Sequence, residues 1–169
     1  MKTAFQLIAV PVSALTLGVG SAILAVDRVA GGSGPGVNQW VHASPTTAAS
    51  REVVMPSPEL LYPILAFLRS EGPLQIRARI PDDAHWSLSS GGANTDNFWT
   101  ITDRPAPSGQ VDVVLVGPGK ALPQDGQGAP VVSPIRPGVA IARTLVKGGA
   151  RLENLVTMQR QTACRRLGG

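Results

Sequence analysis

With one cysteine, two histidines and eleven carboxylates among 169 residues, the chain has little from which to build a metal site, a disulfide framework or an acid–base pair. Cys164 is the lone thiol, so stability must come from a buried core, which a chain of this length can supply without staples. In the oxidising compartment argued below, such a thiol is either buried and inert or paired with another chain. His42 and His85 do not sit at metal-ligand spacing with Cys or carboxylate neighbours, so neither a metal nor a cofactor is expected. No serine stands in a nucleophile elbow. Gly119-Lys120 is followed by Ala121 and lacks the upstream glycine of a phosphate loop, and Gly117-Pro118-Gly119 lacks the third glycine of a dinucleotide fingerprint. Asp96, Asp103 and Asp112 are spread over strands and turns, and their spacing establishes no convergence. The catalytic residues, if the protein has any, are not named by its sequence.

Acidic residues are also too few to balance the bases, which leaves a formal net charge of +4. The bases are scattered, with no basic helix interleaved with aromatics, so nucleic acid is not an expected partner. Polyanionic envelope components fit better, and Arg77 and Arg79 on one strand face are the candidates for them.

The strongest positive signal is residues 4–26, a run without any charge. At about 1.5 Å per residue it is long enough to cross a hydrocarbon layer of roughly 30 Å. A cleaved signal peptide is the competing reading. It would have a shorter apolar run ending in small residues at alternate positions, whereas this run closes on Ile23-Leu24-Ala25-Val26-Asp27. Residues 1–28 therefore read as an uncleaved anchor. Lys2 precedes the span, and Arg28 behind it is offset by Asp27, so the positive-inside rule places the body outside. The protein is expected in an inner membrane with a single pass and a periplasmic C-terminal domain. The glycine-rich run 31–36 cannot hold a helix, so residues 29–50 read as a flexible linker and 51–169 as the domain.

Strand signals dominate that domain. Leu74, Ile76, Ala78 and Ile80 alternate with Gln75, Arg77 and Arg79, which predicts an apolar and a basic face. Strands are also expected at 52–55, 86–89 and 98–101, with Trp86 and Phe98 pointing into the core. Residues 59–69 are apolar and interrupted by Pro63, which argues against a long helix and leaves strand or short helix open. Val111, Val113 and Leu115 share one face while Val114 and Val116 fill the other, predicting a central strand covered on both sides. An exposed loop is expected over 121–130, and strands at 131–132 and 139–146, the latter carrying Arg143 as a rim or paired base. Leu152, Leu155, Val156 and Gln159 fall at helical spacing, predicting an amphipathic helix over 151–163 with Cys164 at its end. The fold class is mainly β, an antiparallel sandwich or open barrel, with a C-terminal α-helix, preceded by one N-terminal transmembrane helix.

A family resemblance rests on motifs in order: Pro58-Glu59-Leu60-Leu61-Tyr62, Gly72-Pro73-Leu74, Ile80-Pro81-Asp82, Trp86-Ser87-Leu88, Asn94-Thr95-Asp96-Asn97-Phe98, Val116-Gly117-Pro118-Gly119, Val132-Ser133-Pro134 and Arg143-Thr144-Leu145-Val146. Their order and spacing resemble the bacterial domain of unknown function 1254, in a short membrane-anchored form. The chain departs from the family where Ser57-Pro58-Glu59 stands for Asn-Pro-Asp. The resemblance implies a β-rich sandwich with no established reaction to transfer. Larger relatives carry a companion domain, numbered 1214, which this sequence lacks, so a small membrane protein resembling it is the expected partner.

Two functional classes follow. The first is an interaction or structural module pairing with another membrane protein. The second is a periplasmic hydrolase or ligand-binding enzyme with a site in the sheet mouth, drawing on His85, Asp96 or Asn97. A polar pocket converging on those residues would favour the second, and a flat apolar patch the first.

Overall fold

Alternation of apolar and polar side chains along most strands forces each sheet to bury one face, and the two buried faces meet. The computed structural model describes residues 36–42, 44–45, 57–70, 72–82, 84–92, 96–104, 109–146 and 152–168. The expected span at 4–26 and the strand candidate at 52–55 lie outside them. Among the described residues no helix is long and apolar enough to cross a membrane.

Among the described residues there are ten strands, β1 (Trp40–His42), β2 (Leu60–Leu61), β3 (Pro63–Leu68), β4 (Leu74–Arg79), β5 (Trp86–Gly91), β6 (Asn97–Thr102), β7 (Gln110–Val116), β8 (Ala129–Val132), β9 (Pro137–Leu145) and β10 (Ala163–Arg166), with one helix, α1 (Leu152–Gln159), between the last two. They form a six-stranded sheet ordered β1-β3-β9-β5-β6, with β2 also paired to β9, and a four-stranded sheet ordered β10-β4-β7-β8. The core lies between the sheets: Leu65, Phe67, Trp86, Leu88, Ala140 and Ala142 from the first against Leu74, Ile76, Ala78, Val111, Val113 and Leu115 from the second. The mainly β fold with a C-terminal helix is as the sequence implied.

Pro63 opens β3, where its missing N–H costs no ladder bond, which resolves the apolar stretch at 59–69 as strand. β1 corrects the linker boundary, because Trp40–His42 lies inside the 29–50 stretch. Asn38, in the left-handed region at φ 69°, donates its side-chain amide to Leu68 O at 3.1 Å and accepts from Leu68 N at 2.8 Å. Asparagine tolerates that conformation, and Trp40 then packs against the core. The folded domain thus begins before residue 51.

β7 is central and covered on both faces, for a reason the sequence did not show. β8 pairs with it in parallel, an exception to the expected antiparallel order. A parallel neighbour needs a crossover of about a dozen residues, and 117–128 provides it. Val114 and Val116 pack there with Leu167. The end of the expected loop, 129–130, is already strand.

The helix is shorter than expected. It stops at Gln159, and residues 163–166 form β10, paired antiparallel with β4. Arg165 and Arg166 therefore sit on an edge strand. The edge of β4 has a ladder to satisfy, and Leu167, buried with Val114 and Val116, ties the segment down. Trp86 is inward at 4% exposure. Phe98 is only half-buried, because the register shifts between Ser90 and Gly91.

Candidate functional site

The outward face of the six-stranded sheet is half polar. Along β5, Trp86, Leu88 and Ser90 turn inward, leaving Ser87 and Ser89 on the outer side. Register sets Ser87 opposite Thr102 of β6 and Arg143 of β9, and Ser89 opposite Thr100. Arg143 Nη1 donates to Ser89 Oγ at 3.2 Å, Thr100 Oγ1 donates to Ser89 Oγ at 3.3 Å, and Asn97 Nδ2 donates to Thr100 Oγ1 at 2.7 Å. Arg143 is half-buried and forms no ion pair among the described residues, where the ion pairs are Arg77–Asp112 and His85–Asp103.

At one end of this face the strand ends part to leave a cleft of about 540 Å³. Leu60 and Leu145 give it apolar walls, and Ser87, Thr102, Arg143, His85, Asp103 and Arg104 its polar lining. Backbone bonds fix the walls: Leu145 N donates to His85 O at 2.8 Å and Asp103 N to Trp86 O at 3.0 Å. His85 Nδ1 stands 3.6 Å from Asp103 Oδ2, and the His85 side chain is 67% exposed. That separation is too long for a hydrogen bond.

Asp96 and Asn97 are elsewhere. Asn97 pairs with Gly91 at the far tip of the β5–β6 hairpin, about 20 Å from His85 at the usual strand rise. The structure therefore separates the three residues that the sequence offered as one site. Asp96, Asp103 and Asp112 do not converge either: Asp103 is in the cleft, Asp96 is at the hairpin tip, and Asp112 is in the other sheet.

Asp112 neutralises a base that was a candidate for polyanions. Arg77 Nε donates to Asp112 Oδ1 at 2.7 Å. Gln75, expected on the basic face, is 3% exposed, and its Nε2 donates to Gln127 O at 2.6 Å and to Asp112 Oδ1 at 3.3 Å. Arg165 Nε donates to Gln75 Oε1 at 2.9 Å and Arg165 Nη2 to Asp125 O at 2.9 Å. This network clamps the 117–128 crossover onto the sheet. Arg79 lines a second cleft, with Asp82, Met158 and Gln161.

Burial, and secondarily the Arg160 charge, holds His42 below its usual pKa. Trp40 Nε1, His42 Nδ1 and Gln159 Oε1 are buried without hydrogen-bond partners. Cys164 lies on β10 opposite Ile76, packs against the core, and is pushed by burial up to about 12. Among the described residues no group of three or more His, Cys, Asp or Glu side chains stands together as metal ligands would. The residue that sequence reasoning undervalued is Arg143. Its only signal was a base inside an apolar run, which is also what a paired rim residue looks like.

The family model described as protein of unknown function (DUF1254) matches residues 37–166, and no curated protein matches the chain. Among solved structures, the VPA0106 protein of Vibrio parahaemolyticus superposes with a TM-score of 0.64 at 9% identity, over 89% of this chain and 35% of its own. An uncharacterised protein from Burkholderia cenocepacia gives a TM-score of 0.51 at 17% identity, over 90% of this chain and 40% of its own. The chain thus spans between a third and two fifths of the length of these two proteins. At such identities the likeness is one of fold.

Proposed function

Since the chain belongs to the DUF1254 family, whose description names no activity, we propose from its site that it is a binding module held at a bacterial inner membrane, with the cleft as its recognition surface and another membrane protein as its partner. The observation that carries this reading is the cleft itself, where Arg143, which forms no ion pair among the described residues, stands between hydroxyls and apolar walls. Such a pairing of apolar surface with a few polar groups is what ligand sites use. The uncharged run 4–26 supports the anchoring, with the body on the periplasmic side. The chain enters the domain beside Leu68, at the end of the sheet opposite the cleft.

A second reading, a periplasmic hydrolase, is favoured by His85, Asp103 and Ser87 lining the same cleft. The 3.6 Å gap and the exposed imidazole weigh against it, because a general base needs to be held by its partner. A photo-crosslinking residue introduced at Arg104, exposed at the rim of the cleft in the full chain, in membranes of the host, separates the two. The binding reading expects a discrete adduct that Arg143→Glu removes and His85→Ala leaves, with no such adduct from Gln124 on the crossover. An adduct indifferent to Arg143, or identical from Gln124, refutes it. Loss with His85→Ala alone moves the reading to the hydrolase.

A further inference from the structure

We infer that Arg143 is the anchor of a carboxylate-binding site, and that the cleft takes a single carboxylate carried on an apolar body. This rests on the cleft being the recognition site and adds the chemical class of what it recognises. Arg143 belongs to a nine-residue strand whose neighbours Ala142 and Thr144 are each 2% exposed, so its backbone cannot shift to carry the charge into water. The guanidinium has five N–H donors, of which the described residues engage one, through Nη1 on Ser89 Oγ. The Nε and Nη2 edge is left with the two parallel donors that match the two oxygens of a carboxylate.

Ser87, directly across β5, and Thr102, beyond it on β6, add hydroxyl donors on the same face. Asp103 in the same cleft opposes a second negative charge, so a monoanion suits the site better than a dianion. Leu60 and Leu145 meet the opposite requirement, an apolar surface for a ligand's body. An arriving carboxylate would pair with a guanidinium that forms no ion pair among the described residues.

Equilibrium dialysis of radiolabelled benzoate and of its neutral isostere benzamide against the full chain in detergent tests the inference. Variants of matching circular dichroism and melting provide the background for partitioning into micelles. The expected result is saturable benzoate binding that falls at least tenfold with Arg143→Gln and several-fold with Arg143→Lys, disappears with the cleft-filling Ser87→Trp, and exceeds benzamide binding at least tenfold. Equal binding of both probes, lost with Ser87→Trp but kept with Arg143→Gln, overturns the carboxylate class while leaving the cleft as a binding site. Binding of neither probe above the Ser87→Trp background overturns the inference, and the crosslinking experiment then decides the broader reading by itself.

Discussion

Gly138 faces Phe67 directly across the β3–β9 ladder, and the pair makes a sharp test of how the core is packed. A Cβ at Gly138 would stand 2.9 Å from Phe67 Cε1, closer still to Cζ, and 2.7 Å from Gly91 O. Ordinary carbon contacts are about 3.5–4.0 Å, so the ring must retreat by roughly 1–1.5 Å. Phe67 is 2% exposed and has no open space to retreat into, which puts the overpacking cost of Gly138→Ala at about 1–3 kcal/mol. The loss of glycine's freedom in the unfolded chain offsets about 0.4–1 kcal/mol of that. A net loss near 2 kcal/mol lowers the melting temperature by about 4–8 °C in a domain of this size. Phe67→Leu removes the clashing ring atoms and by itself costs about 1–1.5 kcal/mol. The double variant should be more stable than the sum of the two by about 1 kcal/mol, the Gly91 carbonyl accounting for the part not relieved. Urea midpoints at unchanged slope measure all four corners of the cycle. Additive losses would refute the reasoning, since they would mean that the ring does not occupy the space over Gly138.

Other outcomes follow from the polar and titrating groups. Cys164, raised by burial from its ordinary 9.0 to about 12, stays protonated on folding, so the stability it contributes is full below about pH 9 and falls as pH rises from 9 towards 12; a thiol reagent at pH 8 should label the unfolded chain much faster than the folded one, and equal rates would place the thiol at the surface. His42 runs the other way: its depressed pKa means that folding favours the neutral ring, so stability is full above about 6.5 and declines as pH falls below it, a slope that His42→Gln should flatten in melts between pH 7 and 5. Asp112→Ala strands Arg77 and weakens the clamp on Gln75, with an expected cost of about 1–3 kcal/mol and faster proteolysis within 117–128; unchanged melting would show the network to be ornamental. If residues 4–26 anchor the chain, it stays in the membrane fraction after carbonate washing with its N-terminus intact, and N-terminal sequencing beginning near Ala25 would contradict that.

Alternation made β4, β5, β7 and β9 legible, because a period of two needs no knowledge of the partner strand, and ordered motifs pointed to the family. Two-sided burial of β7 was legible for the same reason, although what covers it was not. The shortened helix and β10 were hidden because residues 160–166 carry no pattern of their own. Their conformation is set by an open edge on β4 and a place for Leu167, both of which exist only once the sheet is built. The candidate site was misread for a related reason. His85, Asp96 and Asn97 are near in sequence, but a hairpin converts a separation of about a dozen residues into opposite ends of a sheet, whereas Arg143, more than fifty residues from Ser89, is brought to it by the β5–β9 ladder. Sequence by itself determined that β4, β5, β7 and β9 would be strands and that the Leu74, Ile76 and Ala78 face of β4 would be buried, since those depend on local patterning and the cost of wetting apolar surface. Only the tertiary structure decided which bases are neutralised, Arg77 by Asp112 while Arg143 forms no ion pair among the described residues, because charge pairing depends on distances that no local pattern encodes.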